Sequence, residues 1–248
     1  MIDLHSHIVF GVDDGSQTFD NSLKMLAKAQ KDRITDIVAS SHYVPTMKEQ
    51  YAKNFELLQI KAREFNISLH RGCEYAISTM ADLTPEEVRP IGNSKFILVD
   101  MSQAYINPSM INVFFKFKLS GFNILFAHPE RMVQGTEFDE LLTLFEENQI
   151  YVQINTGSLS GRYGKAALHN ALQILDQGRC HALANDAHKD SHYVFSHLQE
   201  KFIMRYGTET WELLTEENPR RILNNEEPFA ITPRKHSFLE RLFPKKSL

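Results

Sequence analysis

The chain has 248 residues, 42% of them hydrophobic and 23% charged, so it is long enough to bury one sizeable core. Its 27 basic and 31 acidic residues give a formal net charge of −4, which argues against a nucleic-acid-binding coat. Two cysteines, Cys73 and Cys180, are too few for a disulfide framework and favour a reducing cytoplasm. The sequence predicts neither a signal peptide nor a membrane span, because no basic segment precedes an apolar run and no apolar stretch approaches roughly 20 residues.

Short β-type runs alternate with helical patterns along the chain. The runs are rich in Ile, Val, Leu and Phe, which is typical of parallel strands buried on both faces. The predicted strands are 1–5, 35–40, 67–73, 95–100, 122–127, 150–155 and 180–185. Apolar rows at helical spacing lie in 19–30, 51–65, 138–145 and 167–175, with Gly121, Gly178 and Gly207 where helices should end. The third unit is the weakest, with only 84–88 as its helix. Seven βα-like units predict a single α/β domain, either a barrel or a doubly wound sheet.

Nearly every predicted strand is followed by a side chain of a type that binds metals. In chain order these residues are His5, His7, His42, Glu74, Asp100, His128, Asp186 and His188, with Asn155 after the sixth strand. The carboxyl ends of parallel barrel strands share one rim, and barrel active sites lie there. A single His or Asp after a strand is usually a helix cap or a turn residue. That explanation does not account for the repetition at strand after strand, so we expect a metal centre.

The donor types restrict the metal. Imidazole and carboxylate without a cysteine cluster suit Mn²⁺, Fe²⁺ or Zn²⁺ and disfavour a structural zinc–thiolate site. The donors exceed what one ion needs, so we expect two or three ions, which typically activate a bridging hydroxide and clamp a phosphoryl group. Cysteine-dependent phosphatase chemistry needs Cys-x₅-Arg, but Thr79 and Asp186 stand six residues after Cys73 and Cys180. We expect both thiols to be buried small hydrophobic groups.

Six motifs follow one another in register. Residues 1–15 read MIDLHSHIVFGVDDG, and SSH (40–42), GCE (72–74), AHPER (127–131), QINTGS (153–158) and NDAH (185–188) follow. The series resembles the PHP (polymerase and histidinol phosphatase) superfamily. Within it, the chain is most similar to the tyrosine-protein phosphatases encoded with bacterial capsule and exopolysaccharide genes, and the likeness covers roughly residues 1–225.

This resemblance implies a distorted TIM-like (βα)₇ barrel over residues 1–232 that binds three ions, usually Mn²⁺. It also implies an enzyme that hydrolyses phosphotyrosine on the C-terminal tail of a bacterial tyrosine autokinase. The implied metal ligands are His5, His7, Asp14, His42, Glu74, His128, Asp186 and His188, with Glu74 bridging two ions. Asp100 stands where the family usually has Glu, and we expect it to be a further, shorter-reaching ligand.

The expected reaction is hydrolysis of a phosphomonoester by a metal-bridging hydroxide, without a covalent phosphoenzyme. We expect Arg131, Asp186 and His188 to be catalytic. Arg131 is also the candidate bidentate phosphate clamp, and a surface ion pair with Glu130 or Asp139 is its alternative.

Two further substrate contacts are expected near this clamp. Arg162 lies in the Gly-rich segment that follows the sixth strand. Lys189 follows the Asp-x-His motif, where the family tends to have Arg; the next arginine here is Arg205. His192 is the alternative to Lys189 in this part of the clamp.

Three rival functions remain open on sequence alone. The first is a small-molecule phosphomonoesterase of the histidinol-phosphatase type. The second is a phosphodiesterase or exonuclease, against which the negative net charge counts. The third is an inactive metal-bound regulatory domain, which the nearly complete donor set disfavours.

The stretch 233–248 is basic and mildly amphipathic. We expect a solvated tail or a helix folded onto the barrel. The alternative is docking on an acidic partner or peripherally on a membrane surface. Docking predicts that deletion of 233–248 weakens dephosphorylation of a kinase tail and spares a small aryl phosphate.

Overall fold

The computed structural model describes residues 1–101, 109–132 and 136–233. Strands and helices alternate through these ranges. The strands are β1 (Ile2–Ser6), β2 (Asp36–Ala39), β3 (Ser68–Arg71), β4 (Glu74–Ala76), β5 (Phe96–Asp100), β6 (Asn123–Ala127), β7 (Tyr151–Asn155) and β8 (Ala182–Ala184). The α-helices are α1 (Phe19–Lys31), α2 (Lys48–Ala62), α3 (Ile77–Asp82), α4 (Ser109–Leu119), α5 (Thr136–Glu147), α6 (Thr156–Leu159), α7 (Gly164–Asp176), α8 (Phe195–Tyr206), α9 (Thr208–Glu212) and α10 (Asn218–Leu223). The α/β class predicted from the alternation is confirmed.

The strands form two parallel sheets, in the orders β1-β2-β3 and β4-β5-β6-β7-β8. Two isolated parallel bridges join them, Ser6 with Ala187 and His42 with Glu74. Each bridge lies just beyond the carboxyl end of a strand. The result is a single α/β domain in which both sheets present these ends together.

The third predicted strand is interrupted. The sequence predicted one strand over 67–73, but β3 pairs with β2 and β4 pairs with β5, with Gly72 and Cys73 between them. A Cβ atom on Gly72 would collide with the side chain of Val38, so the chain approaches β2 too closely for any other residue. The expectation that Glu74 follows a strand is therefore wrong, because Glu74 begins β4.

The predicted helices are present, with one correction. The apolar rows at 19–30, 51–65, 138–145 and 167–175 correspond to α1, α2, α5 and α7. Helices α7 and α8 end just before Gly178 and Gly207, both with positive φ. The third unit has more helix than predicted, since α3 precedes a 3₁₀ turn at Pro85–Glu87. Six residues are too few to show helical periodicity.

Apolar side chains cover both faces of the strands. Along β7, Val152 and Ile154 join the large cluster that includes the helices. A smaller cluster contains Leu98 of β5 and Leu125 of β6, with Ile222 of α10. Because side chains alternate along a strand, Gln153 and Asn155 of β7 lie on the face opposite Val152 and Ile154.

Within the described ranges, no helix combines the length and the apolar character that crossing a bilayer requires. The predicted tail at 233–248 lies, beyond Pro233, outside the described residues.

Candidate metal centre

Eight of the nine predicted metal ligands converge beside the carboxyl ends of β1, β2, β6 and β8, with Glu74 at the start of β4. They form three groups, and within each group the donor atoms lie within 4.8 Å of one another. The groups are His7, Asp14, His42 and His188; His5, Glu74 and His128; and His5, His7 and Asp186. His5 and His7 are each shared by two groups, so the groups form one continuous cluster.

Two of these donors lie on residues whose backbone is strained. His128 follows β6 with φ of 40°, and Asp186 follows β8 with φ of 48°. Non-glycine residues rarely adopt such values, and strain of this kind is concentrated at functional sites. On the other side, His7 extends β1 and its N–H donates to the carbonyl of Ala187 at 2.9 Å. The connection between the two sheets therefore passes through the donor cluster.

Glu74 lies at the centre of the cluster. Its Oε2 is 3.2 Å from Nε2 of His5 and 3.2 Å from Nε2 of His7. The same oxygen is 3.0 Å from Nδ1 of His42, whereas Oε1 is 3.0 Å from Nε2 of His128. Burial alone would raise the pKa of Glu74, but the imidazoles, His5 first, hold it well below its usual value. The two oxygens thus face different donors, as a bridging carboxylate requires.

The donor arrangement fits cations. Nδ1 of His7 donates to the Asp13 carboxylate at 2.7 Å, which leaves a lone pair on Nε2. That nitrogen lies 3.2 Å from Nε2 of His5 and 3.3 Å from Oδ1 of Asp186. Burial lowers the pKa of an imidazole, yet Glu74 and Asp186 raise that of His5 to about 9. The cluster therefore attracts positive charge strongly, and its nitrogen and oxygen donors suit divalent transition ions.

Asp14 and Asp100 occupy contrasting positions. The Asp14 side chain is 70% exposed, with Oδ1 at 3.6 Å from His42 and 3.5 Å from His188. Asp100 ends β5 and belongs to none of the three groups formed by the described residues. Its Oδ1 is nonetheless buried with no hydrogen-bond partner among the residues that the structure describes, and burial, with repulsion from Glu74, raises its pKa. Asp100 therefore faces the cluster from just outside it.

Arg131 lies against the cluster. Its Nη1 donates to Oδ2 of Asp186 at 2.9 Å, and its guanidinium lies 4.3 Å from the centre of the Tyr163 ring. The alternative partners are engaged elsewhere: Glu130 accepts from Ser158, and Asp139 accepts from the side chains of α7. Among the described residues, Arg131 therefore forms its ion pair with Asp186, and the alternative pair with Glu130 or Asp139 is not formed. A cleft of about 300 Å³ opens beside Arg131 and Tyr163.

The other predicted substrate contacts lie further out. Arg162 donates to the carbonyl of Ser191 at 3.1 Å, which links the segment after α6 to the 3₁₀ turn Asp190–His192. Lys189 is exposed. Burial and the nearby Arg162 lower the pKa of His192 to about 4. Within the described part of the chain, no hydrogen bond or ion pair joins Arg162 or Lys189 to the eight donors.

Sequence reasoning missed the role of the side chains that hold the donors. Asp13 accepts from Nδ1 of His7 and from the backbone N–H of His42 at 2.9 Å, although only its neighbour Asp14 was predicted as a ligand. Gln153 lies 2.9 Å from Nδ1 of His5, and Asn155 donates to Asp186. Two polar residues at two-residue spacing on a buried strand are the signal that would have indicated them.

These features define an α/β protein with a donor cluster suited to more than one divalent ion. A family model described as "Capsular polysaccharide synthesis, CpsB/CapC" matches residues 1–224. The chain therefore belongs to the CpsB/CapC family.

Similar proteins include the tyrosine-protein phosphatase YwqE of Bacillus subtilis, which is 29% identical over 94% of this chain and 95% of its own length. The tyrosine-protein phosphatase CpsB of Streptococcus pneumoniae is 27% identical over 90% of this chain and 98% of its own. The putative tyrosine-protein phosphatase CapC of Staphylococcus aureus is 27% identical over 76% and 77%.

A solved structure has the same fold. It comes from a crystallographic description of YwqE from Bacillus subtilis and CpsB from Streptococcus pneumoniae as "unique metal-dependent tyrosine phosphatases". The TM-score is 0.83 at 25% identity, over 96% of this chain and 100% of that one.

Proposed function

We propose that this protein is a metal-dependent protein-tyrosine phosphatase linked to capsule or exopolysaccharide synthesis. The observation that carries the proposal is the convergence of eight imidazole and carboxylate donors around Glu74, in a family whose relatives are named tyrosine-protein phosphatases. The histidinol-phosphatase alternative is not favoured, because these relatives act on a different substrate class.

The proposed cofactor is Mn²⁺, in two or three ions, with Fe²⁺ or Zn²⁺ as alternatives. The proposed ligands are the eight residues of the three groups, with Asp100 as a ninth. When bound, such ions lower the pKa of water and neutralise phosphoryl oxygens. Burial, followed by the nearby His7, lowers the pKa of His188, so its imidazole is neutral at pH 7 and keeps a lone pair for a ligand bond.

The chain's own residues bind and orient the phosphate. Arg131 presents a guanidinium fixed between the Asp186 carboxylate and the Tyr163 ring, and a planar guanidinium binds two phosphoryl oxygens at once. Asp186 thus has two tasks, because Oδ1 faces the donors and Oδ2 orients Arg131. Arg162 and Lys189 add positive charge at the rim, where a phosphotyrosine-bearing segment would approach.

The finer architecture is part of the proposal. If β3 and β4 count as one interrupted strand, the described strands make seven units of a distorted TIM-like barrel over 1–232. The bridges from Ser6 to Ala187 and from His42 to Glu74 support closure. We further propose a separate basic segment at 233–248, a cytoplasmic location and a substrate on the C-terminal tail of a bacterial tyrosine kinase. Two free, buried cysteines support the location.

Chelation and alkylation test the chemistry in one experiment. Treatment with EDTA should abolish hydrolysis of a phosphotyrosine peptide, and Mn²⁺ should restore it. Iodoacetamide should leave the rate nearly unchanged, because both thiols are buried and burial raises the pKa of Cys73 to about 12. The opposite pattern would exclude metal catalysis. A phosphoserine peptide and histidinol phosphate are the comparison substrates, and faster hydrolysis of either would exclude the tyrosine assignment.

A further inference from the structure

Two amide side chains on β7 connect donors that come from different sheets. Gln153 and Asn155 are both 0% exposed. Oε1 of Gln153 lies 2.9 Å from Nδ1 of His5, and Nε2 of Gln153 lies 2.8 Å from Oδ1 of Asn155. Nδ2 of Asn155 lies 2.8 Å from Oδ2 of Asp186. A chain of three hydrogen bonds therefore runs from Asp186 to His5.

We propose that Gln153 and Asn155 form a directional relay, here called the amide relay, through which Asp186 sets the tautomer of His5. The two amides are positioning residues: they touch the donors and not the substrate. The proposal rests on the proposed metal-dependent function and adds the device that makes His5 a ligand.

The direction of the relay follows from the hydrogen-bond inventory. Oδ2 of Asp186 accepts from Nη1 of Arg131 at 2.9 Å, and a guanidinium only donates, so this oxygen acts as an acceptor at the start of the relay. Asn155 must then present its NH₂ group to Asp186 and its oxygen to Gln153. Gln153 must in turn donate to Asn155 and present its own oxygen to His5.

The end of the relay fixes His5. An amide oxygen only accepts, so Nδ1 of His5 must carry the proton and donate. A histidine that ligates a metal is neutral, and with the proton on Nδ1 its Nε2 then has the lone pair. That atom faces Glu74 at 3.2 Å and Asp186 at 3.3 Å, and His5 belongs to two of the three donor groups. A wrong tautomer at His5 would therefore impair two ion sites at once.

The backbone keeps both amides in place. The N–H of Asn155 donates to Oε1 of the buried Glu130 at 3.0 Å, and the carbonyl of Gln153 accepts from the N–H of His128 at 2.8 Å. His7 has a different arrangement, because the carboxylate of Asp13 accepts directly from its Nδ1. An ionised carboxylate can only accept a hydrogen bond, whereas a side-chain amide can rotate to present either its oxygen or its NH₂ group. The orientation of Gln153 therefore depends on Asn155 and Asp186.

The test measures Mn²⁺ affinity in variants of similar volume, Gln153→Met and Asn155→Leu, and in the double variant. The dissociation constant is obtained by competition with a chromophoric chelator. Outer ligand partners of this kind contribute about 10–100-fold to metal affinity, so each single variant should weaken binding by that factor. Both substitutions break the same relay. The dissociation constant of the double variant should therefore lie within about threefold of that of the single variant that binds Mn²⁺ more weakly.

Several results would overturn the relay. An unchanged affinity in Asn155→Leu, which does not touch His5, would exclude it. So would a double variant that equals the product of the two single effects. Gln173→Met is the matched control, since Gln173 also donates one amide hydrogen bond, to Asp139 on a distant surface, and it should bind Mn²⁺ like the wild type. A wild type that binds no divalent ion would instead overturn the proposed function.

A second measurement uses the unaltered protein and covers variants that fail to fold. In ¹⁵N-histidine-labelled protein loaded with diamagnetic Zn²⁺, the relay predicts a slowly exchanging Nδ1–H resonance for His5, with nuclear Overhauser contacts to the Gln153 side chain. A proton on Nε2 of His5 would overturn the proposal.

Discussion

Two histidines at opposite ends of the strands, His5 and His181, have opposite pKa shifts. At the carboxyl end, His5 lies between Glu74 and Asp186, and its pKa is raised to about 9. At the amino end, His181 precedes β8 beside a cavity of about 200 Å³. Burial lowers the pKa of His181 to about 4. Burial lowers the pKa of an imidazole, and at His5 the two close carboxylates reverse this effect.

The functions of the two ends differ accordingly. Nδ1 of His181 accepts a hydrogen bond from the backbone N–H of Val152 at 3.0 Å, and its ring packs edge-on against Tyr151. This histidine is a neutral structural acceptor. The histidines of the donor cluster lie among carboxylates, so the same side chain there becomes part of a cation site.

The largest expected effect is the loss of activity when the charge of Glu74 is removed. Glu74→Gln keeps the shape but places an amide where Oε2 now faces three imidazoles. Removing this charge should lower kcat/KM on a phosphotyrosine peptide by at least about 10³-fold and reduce bound Mn²⁺ in elemental analysis. Glu64→Gln, at an exposed ion pair with Lys61, is the control. Full Mn²⁺ content and activity in Glu74→Gln would show that this carboxylate is not needed for the cation site at the carboxyl ends of the strands.

The next effect separates phosphate binding from metal binding. Arg131→Lys keeps the positive charge but removes the planar fork, so kcat should fall by about 10²-fold. The Mn²⁺ content should stay unchanged, because no nitrogen of Arg131 can serve as a ligand. Arg179→Lys, at an ion pair with Glu146 near the other end, is the matched control and should keep full activity. Equal losses in the two variants would contradict a specific clamp.

The smallest effect concerns stability at the amino end. The folded-state pKa of His181, about 4, lies below its ordinary value of 6.5, so the unfolded chain binds the proton more tightly. Its contribution is present above pH 6.5 and is lost as the pH falls toward 4, by about 3 kcal/mol in total.

The variant His181→Gln keeps an acceptor but does not titrate. The difference in unfolding free energy between wild type and variant, measured by urea titration from pH 7 to pH 4, should change by that amount. His169→Gln, at an exposed position, is the control. A pH-independent difference would mean that burial does not set the pKa of His181.

Much of the fold could be predicted because helices and strands show their periodicity within short stretches of the sequence. Helices α1, α2, α5 and α7 each carry an apolar row long enough to show its period. The break between β3 and β4 could not be predicted in this way. It arises from the packing of Gly72 against Val38, two residues that are distant along the chain.

The donors could be predicted better than their supports. His5, His7 and Asp186 stand at strand ends, a position visible in the sequence, and the structure brings them together. Asp13 was not identified because an Asp-Asp-Gly sequence is also a common turn. Gln153 and Asn155 were missed as a connected pair because the hydrogen bonds between them depend on the placement of Asp186.

The division into two sheets has a mechanical consequence. Each of the three donor groups combines residues from both sheets. His5, His7 and His42 lie in or just after strands of the sheet of β1 to β3, whereas their partners Glu74, His128, Asp186 and His188 lie in or just after strands of the sheet of β4 to β8. An ion bound there would connect the two sheets, so its binding free energy would add to the stability of the folded domain. Loss of the ions would loosen the framework that carries the chemistry, and metal supply in the cell would govern how long the folded protein persists.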